Sequence, residues 1–145
     1  MPTDREAISA LIHRYAELLD GGDFERLADL FARATLRTDG FEGARQGRDE
    51  VLALYRSMVV LYDGIPCTKH VTTNVTVEVE PGAPTASARA YYSVLQARPE
   101  LPLQVIIAGR YHDSFARVDG AWAFTDRLIF VDLIGDLRYH LHSFG

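Results

Sequence analysis

Cysteine is almost missing from this sequence, and long apolar runs and clusters of like charge are missing altogether. The single cysteine, Cys67, excludes an intramolecular disulfide and is typical of a small buried hydrophobe. No apolar run approaches the roughly 20 residues of a membrane-spanning helix, and the opening "MPTDREAISA" lacks the apolar core of a secretion signal. The 15 lysines and arginines are scattered, so the basic footprint of a nucleic-acid-binding protein is missing. We therefore expect a cytoplasmic protein that binds neither nucleic acid nor membrane.

The motifs of several enzyme classes are also absent from the sequence. It contains no Gly-x-Ser-x-Gly, no His-Glu-x-x-His, no P-loop and no Gly-x-Gly-x-x-Gly. The usual signals of covalent catalysis, metal chemistry and nucleotide binding are therefore lacking, and no cofactor is expected. His140 and His142 stand two residues apart in the closing "RYHLHSFG". Because no third metal ligand accompanies them, we interpret this segment as a solvated tail or a pocket lid.

The composition is that of one ordinary globular domain over residues 1–145, with 48% hydrophobic and 24% charged residues. Apolar residues at helical spacing predict a first helix over residues 4–20, which two glycines terminate. Asp23 is placed to cap a short second helix through "FERLADLFA", and Asp49 to cap a third through "EVLALYRSMVVLY". Between these two helices, "TLRTDGFEGARQGR" indicates a short extended piece and a turn-rich loop.

The second half of the chain is rich in β-branched and aromatic residues. Four segments predict long antiparallel strands: "KHVTTNVTVEVE", "TASARAYYSVLQA", "LQVIIAGRYHDSFARV" and "AWAFTDRLIFVDL". Helices followed by a meander of strands favour an α+β fold, with three helices packed on one face of a curved, mainly antiparallel sheet. A cone-like pocket between the two layers is the natural result.

Four stretches, in their order and spacing, resemble the SnoaL-like branch of the nuclear-transport-factor-2-like (NTF2-like) superfamily: "RYAELLDGGDFERLADLFA", "TKHVTTNVTVEVE", "GRYHDSFARVDGAWAFTDR" and "VDLIGDL". The resemblance covers nearly the whole chain. It implies a cone-shaped, cystatin-like α+β barrel that is commonly dimeric. Members of the superfamily include polyketide cyclases, scytalone dehydratase, a dehydrochlorinase, a bile acid dehydratase and many non-enzymatic relatives. The resemblance therefore supports the fold more firmly than the chemistry.

The resemblance also gives a meaning to Asp20, an acid at the C-terminal end of the first helix, where the helix dipole disfavours negative charge. In the lyases of the superfamily an acid here pairs with a histidine at the start of the first long strand, and His70 stands at the matching position. A carboxylate that accepts a hydrogen bond from one imidazole nitrogen leaves the other free to remove a proton from carbon. The resembling bile acid dehydratase has a tyrosine five residues before its aspartate, as Tyr15 is here, which makes Tyr15 a candidate donor to a substrate oxygen.

A structural interpretation of the same residues stays open. Asp20 then ends a helix in an Asp-Gly-Gly turn, His70 is a strand-end residue bonded to water, and Tyr15 belongs to the apolar core. Strict alternation puts the valines of "HVTTNVTVEV" on one face and His70 with Asn74 and Thr76 on the other. Either that polar face opens on the pocket, or a β-bulge reorients His70.

Three further residues are candidate substrate contacts. Tyr92 continues a face of small alanines in the second strand, although core packing explains it too, and this strand reads "AYYSVL" where the family dehydratases have an acid. Met58 lies in the third helix, and His112, in "GRYHDSF", faces either the pocket or the outer sheet surface. Two arginines, Arg110 and Arg127, are ion-pair partners on the sheet unless one points inward to bind an anionic substrate.

These observations predict a cofactor-independent lyase or isomerase of dehydratase or cyclase type. It acts on a small, mostly apolar molecule, cyclic ones included, through His70 with Asp20 and Tyr15. The alternative is a non-catalytic module that binds a small hydrophobic molecule or serves as an accessory subunit. Because "VII" at residues 105–107 puts apolar residues on both faces of a strand, we also expect a homodimer through the outer sheet face.

Overall fold

Three helices and a six-stranded sheet make up the fold of residues 1–143, the part of the chain that the computed structural model describes. The helices are α1 (Asp4–Asp20), α2 (Phe24–Asp29) and α3 (Gly47–Met58). The strands are β1 (Thr35–Thr38), β2 (Arg45–Gln46), β3 (Thr68–Glu78), β4 (Thr85–Arg98), β5 (Leu101–Val118) and β6 (Ala121–Ile134). The predicted α+β class, three helices on a curved and mainly antiparallel sheet, is confirmed. None of the helices in this part of the chain is long and apolar enough to span a membrane.

Local side-chain hydrogen bonds fix the N-terminal ends of the first two helices. Thr3 and Glu6 form a capping box at the start of α1, whose bounds are those predicted. Asp23 caps α2 as expected, because its carboxylate accepts a hydrogen bond from the backbone N–H of Arg26 at 3.2 Å. This helix stops at Asp29 and is therefore shorter than the sequence pattern predicts.

The third helix differs from its prediction at both ends. It begins two residues before Asp49, which is not its cap, and the residue at the cap position, Gln46, makes no side-chain capping bond. It ends at Met58 because Val59 is extended and forms a β-bridge with Leu141. The predicted last turn of α3 is thus replaced by pairing with the C-terminal segment.

The sheet has the strand order β2-β1-β6-β5-β4-β3. Neighbouring strands are antiparallel except β1 and β6, which are parallel. The four long strands predicted from the second half of the chain are β3 to β6, whereas β1 and β2 extend the sheet beyond β6. Register shifts interrupt the pairing of each pair of long neighbours, and such bulges bend and twist a sheet.

The core lies between the helices and the inner face of the curved sheet. Helix α1 packs on β3 and β6, and α2 packs on α3. Large buried side chains from both layers meet there, among them Ile8 and Ile12 of α1 and Phe115 and Phe124 of the sheet. The end of α3 and the C-terminal segment pack against each other beside this core, and a cavity remains among α1, α3 and the sheet.

Candidate active site

A β-bulge in β3 turns His70 toward the interior. Asn74 has a left-handed backbone conformation (φ 55°) where the pairing of β3 with β4 shifts register, and asparagine tolerates this conformation better than most residues. The bulge reverses the alternation of faces, so that His70 before it and Val77 after it both point inward, while Val71 is 42% exposed. Grouping Val71 with the later valines was therefore wrong, and the bulge alternative is correct.

Asp20 and His70 are in direct contact. Asp20 Oδ1 lies 2.6 Å from His70 Nδ1, and Oδ2 accepts a hydrogen bond from the His70 backbone N–H at 2.7 Å. The Thr68 hydroxyl donates to Asp20 Oδ1, also at 2.7 Å. The carboxylate at the end of α1 is thus tied to the first residues of β3. Because both side chains are at least seven-eighths buried, at 12% and 6% exposure, this is an interior contact and not a surface ion pair.

The surroundings of Asp20 favour its charged form. Burial by itself would raise the pKa of Asp20, but the hydrogen bonds from His70 and Thr68 outweigh it and hold the pKa below the usual value. The same hydrogen bonds offset the unfavourable interaction of the Asp20 charge with the negative end of the α1 helix dipole. A carboxylate at Nδ1 makes that nitrogen the donor, so Nε2 is the nitrogen available as a base.

A cavity of about 550 Å³ adjoins this pair, within the range of small-molecule sites. His70 lies in its wall, and most of the remaining wall is apolar, formed by Leu19, Leu36, Leu54, Met58, Val59, Val94, Ile107, Ile129, Val131 and Leu141. The predicted contact Met58 is thus a wall residue. The charged residues Glu42 and Arg45 also line the cavity, so a base in this mainly apolar wall suits a mostly apolar substrate that carries polar groups.

Tyr15 lines the same cavity. It is buried, and its oxygen lies 2.5 Å from the hydroxyl oxygen of Tyr55, another wall residue. Burial raises the pKa of both hydroxyls, so each keeps its proton. If Tyr55 donates to Tyr15, the Tyr15 proton is free to point at a ligand.

Tyr92 also lies in the wall, at the position predicted from its strand face. Its hydroxyl donates to the Phe130 carbonyl at 2.9 Å, and its ring stacks on Tyr111 with centroids 4.5 Å apart. A Cβ at Gly109 would lie 2.7 Å from the Tyr92 hydroxyl, so only glycine leaves room for this arrangement. Because its proton is engaged, Tyr92 can offer a ligand only its ring and an oxygen lone pair.

The prediction for His112 is wrong. Its side chain lies on the outer face of the sheet, where its ring is 4.8 Å from that of Phe130, and it does not line the cavity. Alternation along β5 is the reason, since the buried neighbours Tyr111 and Asp113 occupy the inner face. His112 is therefore not part of the cavity wall that contains His70, and lies instead along a smaller depression of about 300 Å³.

Both arginines considered in the sequence are ion-pair partners. Arg110 pairs with Asp132 on the outer face at 2.8 Å. Arg127 is fully buried and makes two hydrogen bonds to Asp113, at 2.8 and 2.9 Å, with its guanidinium 3.7 Å from the centroid of the Tyr111 ring. It does not line the cavity. The charge of Arg127 is therefore balanced by Asp113 and not by an anionic substrate.

His140, like Tyr55, is one of the cavity residues that sequence reasoning missed. It is only 5% exposed, and its ring centroid lies 6.1 Å from that of His70. The lid interpretation of the C-terminal segment is correct up to Ser143, since Leu141 and Ser143 also line the cavity, whereas residues 144–145 lie outside the described range. Apolar Leu137 and Leu141 on either side were the available signal that this segment packs inward. Within residues 1–143 no three His, Cys, Asp or Glu side chains gather as a potential metal site.

The fold and this site define the class of protein. The chain belongs to the SnoaL-like domain family, whose model matches residues 2–128. This family lies in the NTF2-like superfamily. No protein of curated function matches the sequence significantly.

Solved structures similar to this chain share its architecture. An NTF2-like protein with a cystatin-like fold from Novosphingobium aromaticivorans is 26% identical, with a TM-score of 0.74 over 88% of this chain and 81% of that one. LinA is also 26% identical, with a TM-score of 0.73 over 92% of this chain and 88% of its own. A scytalone dehydratase-like protein from the same Novosphingobium is 23% identical, with a TM-score of 0.69 over 90% and 85% of the two chains. Because this last structure is only 23% identical, its similarity supports the fold alone.

Proposed function

We propose that the protein is a cofactor-independent lyase or isomerase in which His70 removes a proton from a carbon of a small, mostly apolar substrate. The observation that carries this proposal is the 2.6 Å contact between Asp20 and His70 in the wall of an apolar cavity. Family membership supports it, because dehydratases, isomerases and cyclases occur in the family.

The proposed mechanism uses His70 first as base and then as acid. Nε2 takes the proton, the C–H electron pair moves toward a neighbouring carbonyl or leaving group, and the Asp20 carboxylate stabilises the imidazolium that forms. Tyr15 donates a hydrogen bond to the oxygen on which negative charge develops. The imidazolium then returns the proton, to the departing oxygen in a dehydration or to another carbon in an isomerisation.

The alternative function is a binding module with the same cavity. It is favoured by one observation, that the Tyr15 and Tyr92 hydroxyls already contact protein partners, which leaves few groups free to act on a ligand. Turnover separates the two functions, because a container holds its ligand unchanged.

Incorporation of deuterium from the solvent into a bound ligand distinguishes an enzyme from a binding module, and this test does not require the natural product of the reaction to be known. A panel of two-ring ketones and hydroxyketones is incubated with the protein in D₂O, and deuterium next to the carbonyl is measured by NMR and mass spectrometry. We expect exchange or loss of water with the parent protein, slowed about 10² to 10⁴-fold in His70→Ala. Ligands that bind the parent but never exchange or react would favour the container.

We further propose a homodimer through the outer sheet face. Four large apolar side chains on that face are 42 to 70% exposed, namely Val71, Tyr91, Val105 and Leu133. Cross-strand pairing brings Val71 and Leu133 into one row through Ser93 and Ala108. Leu133→Arg, which puts a charge into this surface, should halve the mass that light scattering gives for the parent. A monomeric parent at micromolar concentration would contradict the proposal. The cytoplasmic location stays a prediction.

A further inference from the structure

His140 lines the cavity but takes no part in the reaction proposed above. The residue is nine-tenths buried, and its Nδ1 has no hydrogen-bond partner among the described residues. Buried polar atoms without a partner are unfavourable and rare in folded proteins. Because Nδ1 is also occluded from the cavity, a ligand can reach the His140 side chain only at its other nitrogen, Nε2.

Backbone contacts fix the position of the His140 ring. The backbone N–H of His140 donates to the Leu137 carbonyl at 3.1 Å, and the backbone carbonyl of His140 accepts from the Val60 N–H at 2.8 Å. Farther along, the His142 N–H donates to the Met58 carbonyl at 2.9 Å. The segment is thus fastened to the end of α3 on both sides of His140, which holds the imidazole beside that of His70.

The protonation state of His140 follows from its surroundings. Burial, and after it the neighbouring His70, lowers the pKa of His140 to about 4, so that the ring is neutral near pH 7 and carries one N–H. Nδ1 has no acceptor within reach, which favours the proton on Nε2. A neutral ring also adds no positive charge next to the imidazolium of His70.

We propose that His140 is a substrate-binding residue whose Nε2–H donates a hydrogen bond to a ligand oxygen close to the carbon that His70 deprotonates. His140 keeps its proton throughout, so it orients and polarises the substrate without a proton transfer. The substrate class is thereby narrowed to oxygenated apolar molecules, such as cyclic ketones and alcohols. A hydrocarbon or halogenated hydrocarbon offers this N–H no comparable acceptor.

This inference rests on the proposed function for the placement of the substrate beside His70, but its test needs no turnover. Two ligands of nearly equal shape are compared by NMR titration: α-tetralone, a two-ring ketone, and tetralin, the corresponding hydrocarbon. The variants are His140→Phe, which removes the donor, and His140→Gln, which retains an N–H. His142→Phe is the matched control, since His142 is exposed on the same segment.

We expect the ratio of the tetralin Kd to the α-tetralone Kd to fall about 2- to 12-fold in His140→Phe, the factor that one neutral hydrogen bond contributes. It should recover in part in His140→Gln and stay at the parent value in His142→Phe. In the parent labelled with ¹⁵N-histidine, α-tetralone but not tetralin should shift the Nε2 resonance of His140. A merely structural histidine would change both affinities alike.

An unchanged ratio in His140→Phe, or no binding of α-tetralone to the parent at millimolar concentration, overturns the assignment. If His70→Ala nevertheless abolishes exchange, the proposed function survives and only the role of His140 fails. If the ratio of the two Kd values falls as expected but the protein shows no turnover, His140 binds a ligand oxygen in a non-catalytic binding module.

Discussion

The buried His140 should make the stability of the protein depend on pH in a way that one substitution removes. The folded state holds this ring neutral, with a pKa of about 4, against 6.5 for an ordinary histidine. Below pH 6.5 the imidazole of His140 is protonated in the unfolded chain but stays neutral in the folded chain. Its contribution to stability is therefore present above pH 6.5 and is lost as the pH falls toward 4.

The size of the effect follows from these two values. At about pH 4, the penalty from His140 amounts to roughly 3 kcal/mol relative to about pH 7.5, since each tenfold difference in proton affinity corresponds to about 1.4 kcal/mol. Asp20 and His70, the charged and titratable groups that act on His140, remain in the variant and still contribute their own pH dependence.

Urea unfolding of the parent, His140→Phe and the exposed control His142→Phe at both pH values measures this difference. We expect His140→Phe to lose less stability than the parent on acidification, by roughly 3 kcal/mol, while His142→Phe follows the parent. Equal losses in the parent and His140→Phe would refute the claim that the folded protein keeps this ring neutral.

Two further substitutions test the groups beneath and beside the cavity. Arg127→Met leaves Asp113 buried without its partner and should lower the free energy of unfolding by about 3–5 kcal/mol, whereas the outer-face Arg110→Met should cost less than about 1 kcal/mol, as urea unfolding can measure. Tyr15→Phe leaves the Tyr55 hydroxyl without its 2.5 Å partner, so we expect a stability loss of about 1–3 kcal/mol and slower exchange of bound ketones in D₂O. Exchange at the parent rate in a folded Tyr15→Phe protein would remove Tyr15 from the mechanism.

Much of the fold was predictable because it is encoded locally. The Asp23 cap marks a helix start directly in the sequence, and β-branched residues mark the long strands. The pairing of Asp20 with His70 came from the family resemblance, since helical and strand periods alone do not bring two residues 50 positions apart together. Local propensity was therefore not sufficient to predict this site.

The errors arise where long-range packing overrides the local pattern. A bulge at Asn74 reverses the faces of β3, and nothing in strict alternation announces it. His140 is buried only because its segment pairs with the end of α3, a contact between distant parts of the chain. For His112 the alternation itself was readable, but which face of β5 points inward depended on the packing of Tyr111 and Asp113.

The contacts of Asp20 also change one expectation about stability. From the helix dipole alone, Asp20→Asn should leave stability unchanged or slightly raised. The structure instead gives this carboxylate three donors, from Thr68 and from the backbone and ring of His70. An asparagine amide offers a single acceptor oxygen, so we expect a loss of about 1–3 kcal/mol, measurable by urea unfolding, in a protein that still folds.

The turnover of Asp20→Asn on a ketone or hydroxyketone that the parent converts tests the central claim most directly. The substitution keeps the shape of the side chain but removes the charge that stabilises imidazolium on His70, and Glu17→Gln, an exposed carboxylate on the same helix, is its control. With circular dichroism showing folded protein, we predict that kcat falls by about 10² to 10⁴ in Asp20→Asn while Glu17→Gln matches the parent. A folded Asp20→Asn protein that turns over at the parent rate would contradict the assignment of Asp20 and His70 as the catalytic pair.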